Sequence, residues 1–217
     1  MTRRAALFDL DGVLMDSAGS ILAAMAAVAT CATGRRWTAA DLPPGSLLRP
    51  REQVLDSLGV ADPDDACTRW WDGALAAHLP QPFPGVLPGL LALREAGTAV
   101  AVVTLQDRSR LHWLLPPELA DLLDAVVTRQ DAPAKPAPGG LRLALERVGV
   151  PAGRAVFLGD SPTDMTAAIA ADVLALAAGW GWHPTAALRA AGAHHVIPGP
   201  TGIGLSLLDH LPLTQPR

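Results

Sequence analysis

Cysteine is scarce in this chain of 217 residues: Cys31 and Cys67 are the two present. No disulfide scaffold can carry the fold, and a reducing compartment suits the composition. Charge is scarce as well. Charged residues make up 18% against 50% hydrophobic, which excludes long disordered tails, because disorder needs low hydrophobicity with high charge. Neither sign dominates, and the net charge of -4 argues against a nucleic-acid groove or a polybasic membrane surface. Long apolar runs are missing. Residues 21–32 are rich in alanine and fall well short of the ~20 residues that span a bilayer. Met1 to Arg4 opens like a leader, but the apolar run 5–10 is stopped by Asp11. The expectation is a cytoplasmic protein with no membrane partner. Lysine is rarest of all: of the 17 basic residues Lys135 is the one lysine, and the rest are arginine.

What is present is a rhythm of short apolar runs and helix-like stretches. The length suits one large domain, or one domain with an insertion, and a core that needs no staples. Residues 5–10 read as a strand ended by the turn signal Asp11-Gly12. Similar runs recur at 99–103, 125–128, 155–158 and 173–177. Helical stretches occupy 90–97, 109–123, 141–148 and 163–171. Continuous apolar strands alternating with helices predict an α/β fold with a Rossmann-like parallel sheet flanked by helices. The interval 16–85 breaks the rhythm. It shows no clear strand and reads as helices at 17–33, 39–42, 51–58 and 64–78, with Asp62 or Pro63 starting the last. It ends in the proline-rich stretch 80–85, which suits a stiff linker. The expected organisation is a core domain of 1–15 and 86–217 with an inserted helical domain of 16–85. Residues 198–217 read as a closing turn or helix.

Polar residues sit at the ends of the apolar runs. Asp9 and Asp11 follow the first, and Thr104 follows the run 99–103. Asp160 and Asp164 follow 155–158, and Lys135 lies in a loop before a helix. In open parallel sheets ligands bind outside the carboxyl ends of the strands, so these groups are expected to converge. Four carboxylates and one ammonium in one crevice call for a cation, and carboxylate oxygens suit magnesium. A threonine hydroxyl and a lysine suit phosphate oxygens, and an aspartate can act as nucleophile. The set reads as metal-assisted phosphoryl transfer.

Asp9-Leu10-Asp11-Gly12-Val13-Leu14-Met15-Asp16-Ser17 resembles motif one of the haloacid dehalogenase-like (HAD) superfamily. Thr104 resembles motif two, Lys135-Pro136-Ala137-Pro138 motif three, and Gly159-Asp160-Ser161-Pro162-Thr163-Asp164 motif four. The phosphoglycolate-phosphatase-like group, with its small helical cap, is the most similar subfamily. The resemblance implies Asp9 as nucleophile and Asp11 as general acid and then base. It implies Mg2+ held by Asp9, Asp160 and the main-chain carbonyl of Asp11, with Asp164 behind them. Thr104, the backbone at Leu105, and Lys135 would bind phosphate. The implied function is a magnesium-dependent phosphatase that hydrolyses a small phosphomonoester through an aspartyl phosphate, as a monomer or homodimer.

Two features depart from that pattern. Leu105, followed by Gln106, stands where the subfamily usually has a small polar residue after the threonine. The loop before Lys135 is short, and its Arg129 either leans toward the site or, on the plainer reading, is a solvated charge. In the helical insertion Arg49 and Arg51 are candidates for substrate specificity, although a solvated pair is the plainer reading. Trp70 and Trp71 point to different helix faces, one of them coreward. Trp180 and Trp182 read as packing. His194-His195 lacks further ligands at zinc spacing. Residues 199–204 do not form a dinucleotide fingerprint, and no Gly-x-Ser-x-Gly elbow occurs.

Four other functions compete with this one. Asp11 argues against a dehalogenase, and the lack of a lysine in the helical insertion argues against a phosphonate hydrolase that forms a Schiff base. A sugar phosphomutase usually carries Glu-Asp in motif four. A catalytically idle HAD-like binding protein would be expected to have lost one of the acids.

Overall fold

The computed structural model describes residues 3–210. Strand β1 (Ala5–Phe8) has all four side chains buried, which follows from its place inside a parallel sheet. A two-residue strand, β2 (Met15–Asp16), comes next. The helices α1 (Ala18–Thr33), α2 (Arg51–Ser57) and α3 (Pro63–Ala76) follow, with short 3-10 turns at Ala39–Asp41 and Ser46–Leu48. Then β3 (Gln81–Pro82) pairs with β2 in a small separate sheet. Two residues per strand are too few to show a period of two in sequence, which is why 16–85 read as strandless.

The remaining chain alternates. Helix α4 (Val86–Glu95) leads to β4 (Ala99–Val103), and α5 (Arg108–Leu114) and α6 (Pro117–Ala120) lead to β5 (Ala125–Val127). Helix α7 (Gly139–Val148) precedes β6 (Ala155–Gly159), and α8 (Pro162–Ala170) precedes β7 (Leu174–Ala178). Helix α9 (Thr185–Ala190) and β8 (His195–Ile197) follow, and 3-10 turns at Pro200–Gly202 and Leu205–His210 close the described chain. The closing segment expected at 198–217 is thus turns as far as 210, and 211–217 lie outside the described residues. The single helix expected at 109–123 is two. Pro116 and Pro117 follow Leu115, and a residue before proline is pushed out of the helical region; Leu115 has φ -87 and ψ 123.

By packing the chain forms two compact units, one of Met1–Met15 and Pro82–Arg217, the other of Asp16–Gln81. In the first, six parallel strands run in the order β5-β4-β1-β6-β7-β8. Ala5 stands beside Ala99 on one side and Ala155 on the other, and Phe8 beside Val102 and Leu158. The chain leaves β1 toward β4 and β5, then returns to build β6, β7 and β8 on the far side. Strand β1 is therefore the topological switch point, where α/β sheets open a crevice at their carboxyl ends. One face of the sheet packs Leu7, Ala101, Val103 and Phe157 against Leu141 and Leu145 of α7 and Met165 of α8. The other face carries Phe8, Val100, Val102 and Leu158, all buried, with α4 against β4 and the last 3-10 turn against β6. Among the described residues no helix is long and apolar enough to cross a membrane.

In the second unit α1 packs on α3, and α2 packs on both. Helix α3 starts as its sequence signals. Asp62 accepts a hydrogen bond from the Asp65 N–H at 3.0 Å, and Pro63 takes the first helical position. Trp71 is the buried member of the tryptophan pair, with the Arg51 guanidinium 4.6 Å from its ring centroid.

Two helical glycines give opposite expectations for the same substitution. A Cβ at Gly89 in α4 would lie 2.1 Å from the Ile203 carbonyl oxygen, whereas one at Gly73 in α3 would meet nothing within 4 Å. Gly73→Ala should stabilise by about 0.5–1 kcal/mol through helix propensity. Gly89→Ala should destabilise by about 1–3 kcal/mol through overpacking. Urea denaturation of the two variants checks the pair, and a stabilised Gly89→Ala would contradict the close approach.

Candidate active site

The residues beyond β1 turn sharply. Asp9 N–H still donates to the Leu158 carbonyl at 3.0 Å. The Leu10 carbonyl then accepts from the N–H groups of Leu14 at 3.0 Å and Met15 at 2.9 Å, which folds Asp11 to Val13 into a loop. Gly12 has φ +79, and a Cβ there would lie 2.5 Å from Asp160 Oδ2. Both the backbone conformation and the neighbour require glycine.

Across the crevice, β6 ends at Gly159 and hands Asp160 and Asp164 to the start of α8. Ser161 is the N-cap and Pro162 the first helical residue. Asp164 N–H donates to Ser161 Oγ at 3.2 Å, and Asp164 Oδ2 accepts from Asp160 N at 3.1 Å, Ser161 N at 3.0 Å and Ser161 Oγ at 2.7 Å. This is a capping box in which an aspartate takes the part usual for glutamate. It fixes Asp164 with Oδ1 free to face the lysine. Asp160 is fixed from another side: its Oδ2 accepts the Trp182 N–H at 2.8 Å, and a Cβ at Gly181 would lie 2.1 Å from Asp160 Cβ.

Lys135 joins these parts. Its Nζ lies 2.7 Å from Asp9 Oδ1 and 2.6 Å from Asp164 Oδ1, and it donates to the Val103 carbonyl at 3.3 Å. The side chain is 5% exposed. Asp9, Asp160 and Asp164 each bring a carboxylate oxygen within 4.8 Å of the others. Burial pushes the Asp9 carboxyl up to about 8. The Lys135 ammonium pulls it down, and the charges of Asp164 and Asp160 add to the rise. Burial also lifts Asp160 to about 7, against the hydrogen bond from Trp182 and with the charge of Asp164. Burial works against the Lys135 charge, yet Asp164 and Asp9 outweigh it and hold its pKa above the ordinary lysine value.

Thr104, just past β4, is buried. Its N–H donates to the Val127 carbonyl at 2.9 Å, and its Oγ1 accepts the Gln106 N–H at 3.1 Å. Leu105 is 50% exposed. Gln106 Nε2 donates to Asp11 Oδ2 at 2.8 Å. Asp9, Asp11, Thr104, Leu105, Lys135, Asp160 and Asp164 thus come together within the sheet unit. Arg49 and Arg51 belong to the helical unit, where Arg49 is exposed and Arg51 pairs with Glu52 at 2.8 Å.

Three features of the surroundings are not legible in the motifs. Gln106 reaches Asp11, and the turn at Trp182 holds Asp160 by a main-chain donor besides packing. Arg129 is exposed, as its sequence reading has it, and its Nε also donates to Asp107 Oδ1 at 2.6 Å. The glycines around Trp180 were the available signal, because glycine beside a bulky residue marks a close approach.

Comparison with known proteins fits this arrangement. A protein 34% identical over 212 residues, covering 86% of this chain and 85% of its own length, is the phosphoglycolate phosphatase of Rhodospirillum rubrum. A solved structure from Lactobacillus plantarum, provisionally assigned as a phosphoglycolate phosphatase, superposes with a TM-score of 0.77 at 28% identity. It covers 95% of this chain and 100% of that one. One from Thermotoga maritima, provisionally assigned as a β-phosphoglucomutase, superposes with a TM-score of 0.78 at 25% identity, covering 96% and 100%. The family model described as a haloacid dehalogenase-like hydrolase matches residues 3–172. That stretch runs from before β1 to beyond α8 and contains every residue of the carboxylate–lysine cluster, so the chain belongs to the haloacid dehalogenase-like hydrolases.

Proposed function

We propose that this protein is a magnesium-dependent phosphatase that hydrolyses a small phosphomonoester through an aspartyl phosphate on Asp9. The observation that carries the reading is the buried Lys135 bridging Asp9 and Asp164 beside Asp160. The ammonium supports a charged nucleophile and offers a donor to a phosphoryl oxygen. The name of the Rhodospirillum rubrum relative makes 2-phosphoglycolate the first substrate to try, with the helical unit acting as the cap that selects it.

The donor set fits magnesium. It is all carboxylate oxygen, and three acids face one ammonium. The raised carboxyls of Asp9 and Asp160 mark negative charge that a divalent cation would relieve. Asp9, Asp160 and the Asp11 main-chain carbonyl would hold the ion, with Asp164 oriented behind them by its capping box. Bound there, it would neutralise charge on the phosphoryl group.

The chain's own residues do the rest. Thr104 Oγ1 already accepts the Gln106 N–H, so its hydroxyl hydrogen is available for a phosphoryl oxygen, beside Lys135 Nζ and the Leu105 N–H. An Asp9 oxygen attacks phosphorus as the bond to the leaving oxygen breaks, and Asp11 gives that oxygen its proton. Asp11 then takes a proton from water, which attacks phosphorus, frees inorganic phosphate and restores Asp9.

The Thermotoga maritima structure raises a phosphomutase as a second reading. Gly159 counts against it. A Cβ at 159 would lie 2.4 Å from Asp164 Cβ, so the Glu-Asp pair usual in mutases has no room while Asp164 stands here.

Phosphate release from 2-phosphoglycolate, glycerol phosphates and sugar phosphates, with magnesium and with chelator, tests the reading. Asp9→Asn should abolish release, and Asp11→Asn should lower kcat by about 10²–10⁴. A sugar 1-phosphate converted to its 6-phosphate without release of phosphate would favour the mutase.

A second expectation concerns pH. An acid whose pKa is raised on folding stabilises the fold below its unfolded value and loses that contribution as pH rises through the folded value. For Asp9 the window runs from 3.8 to about 8. The metal-free Tm should therefore fall across this range, and the rise in Tm on adding magnesium should be larger at pH 8 than at pH 5. Thermal melts in chelator and in magnesium measure both, and a magnesium effect that shrinks with rising pH would contradict the carboxylate site.

A further inference from the structure

We propose that Gln106 is a positioning residue for Asp11, holding its carboxyl, through the 2.8 Å hydrogen bond from Nε2 to Oδ2, in the orientation that protonates the leaving oxygen. The role rests on the phosphatase reading above.

The loop carrying Gln106 is fastened on both sides. Its own N–H is held by Thr104 Oγ1, and Thr104 N–H by the Val127 carbonyl. On the other side, Asp107 Oδ1 accepts from Arg129 Nε and Gln130 Nε2, each at 2.6 Å, and Asp107 Oδ2 pairs with Arg110 at 2.7 Å. The Arg108 N–H donates to Gln130 Oε1 at 3.1 Å. The segment 128–131 is closed in turn by Asp131, which accepts from Thr128 N at 2.8 Å and Thr128 Oγ1 at 2.7 Å, and from Arg147 at 2.9 Å. Leu105 faces solvent while Gln106 turns inward. The amide therefore approaches Asp11 from a backbone fixed by its neighbours, as a preorganised group must.

The chemistry follows from the donor. A carboxylic acid carries one proton, and an amide N–H needs an oxygen that accepts. With Gln106 on Oδ2, the proton for transfer belongs on Oδ1. As the phosphorus–oxygen bond breaks, that proton passes to the departing oxygen and the electron pair of the O–H bond stays on Asp11. An alkoxide needs this proton in order to leave, whereas p-nitrophenolate is stable enough to leave without it. A residue that acts through Asp11 must therefore matter for the first and not for the second.

The test is kcat/KM of the magnesium-loaded full chain for p-nitrophenyl phosphate and for the alkyl monoester cleaved fastest in the substrate panel. This ratio reports steps up to transfer of the phosphoryl group to Asp9, so the later part of Asp11 as base does not enter. Two apolar substitutions of different shape, Gln106→Met and Gln106→Leu, each remove the donor without adding charge beside Asp11. The second keeps the result readable if one of them folds poorly, with thermal melts as the check. The expected result is a loss of about 10- to 100-fold on the alkyl ester and no more than about threefold on the aryl ester. Equal losses on both esters, or none on either, overturn the role of Gln106 while leaving the phosphatase intact. A wild-type protein that cleaves neither ester takes down the phosphatase reading itself, and this role with it.

Discussion

A single buried ammonium organises the carboxyl end of the sheet. Lys135 Nζ touches Asp9 beyond β1, Asp164 at the start of α8 and the Val103 carbonyl at the end of β4, and it comes from the loop between β5 and α7. Four segments that the chain makes far apart are thus joined at one atom. Burying a charge costs several kcal/mol unless it is paired, and breaking such a pair costs about 3–5 kcal/mol. With one ammonium among three carboxylates the pairing is incomplete. Burial lifts the pKa values of Asp9 and Asp160, and the neighbouring carboxylate charge adds to the rise.

The sheet supplies the rigidity this balance needs. Its central strand is buried on both faces and paired on both edges, so the position of Asp9 is set by the register with β4 and β6. The polar residues around it are held by main-chain donors: Trp182 N–H on Asp160, and the N–H groups of Asp160 and Ser161 on Asp164. Backbone donors move only with the fold, which makes them better anchors than long side chains. Glycines at 12, 159 and 181 provide the space for this, each bordering an aspartate too closely to admit a Cβ.

The parts legible in the sequence were those encoded locally. Five of the six strands of the large sheet are short apolar runs in the sequence, and Asp62-Pro63 announces the start of α3. The aspartates, Thr104 and Lys135 stood out because each follows a strand or precedes a helix, and the motif resemblance ordered them. The parts not legible depend on distant partners or on very short elements. Gln106 and Asp11 lie 95 positions apart, and no local pattern joins them. Arg129 is exposed, and its pairing with Asp107 joins two loops 22 positions apart, which no local pattern announces. Helix α9 and the paired strands β2 and β3 are too short for their periodicity to register. The broken helix at Leu115 was legible in principle, since Pro116-Pro117 is an explicit stop, but the apolar spacing on either side concealed it.

The rarity of lysine has a practical side. Every other basic side chain is an arginine or a histidine, so an amine-selective acylating reagent finds one side-chain target in the whole chain, and that target lies at the centre of the carboxylate cluster. Its ammonium is shielded, doubly ion-paired and held more firmly protonated than an ordinary lysine, which makes it a poor nucleophile in the folded protein. Unfolding removes all three protections at once. Label found on Lys135 itself, as distinct from any on an α-amino group, therefore counts the molecules whose carboxylate–lysine cluster has come apart.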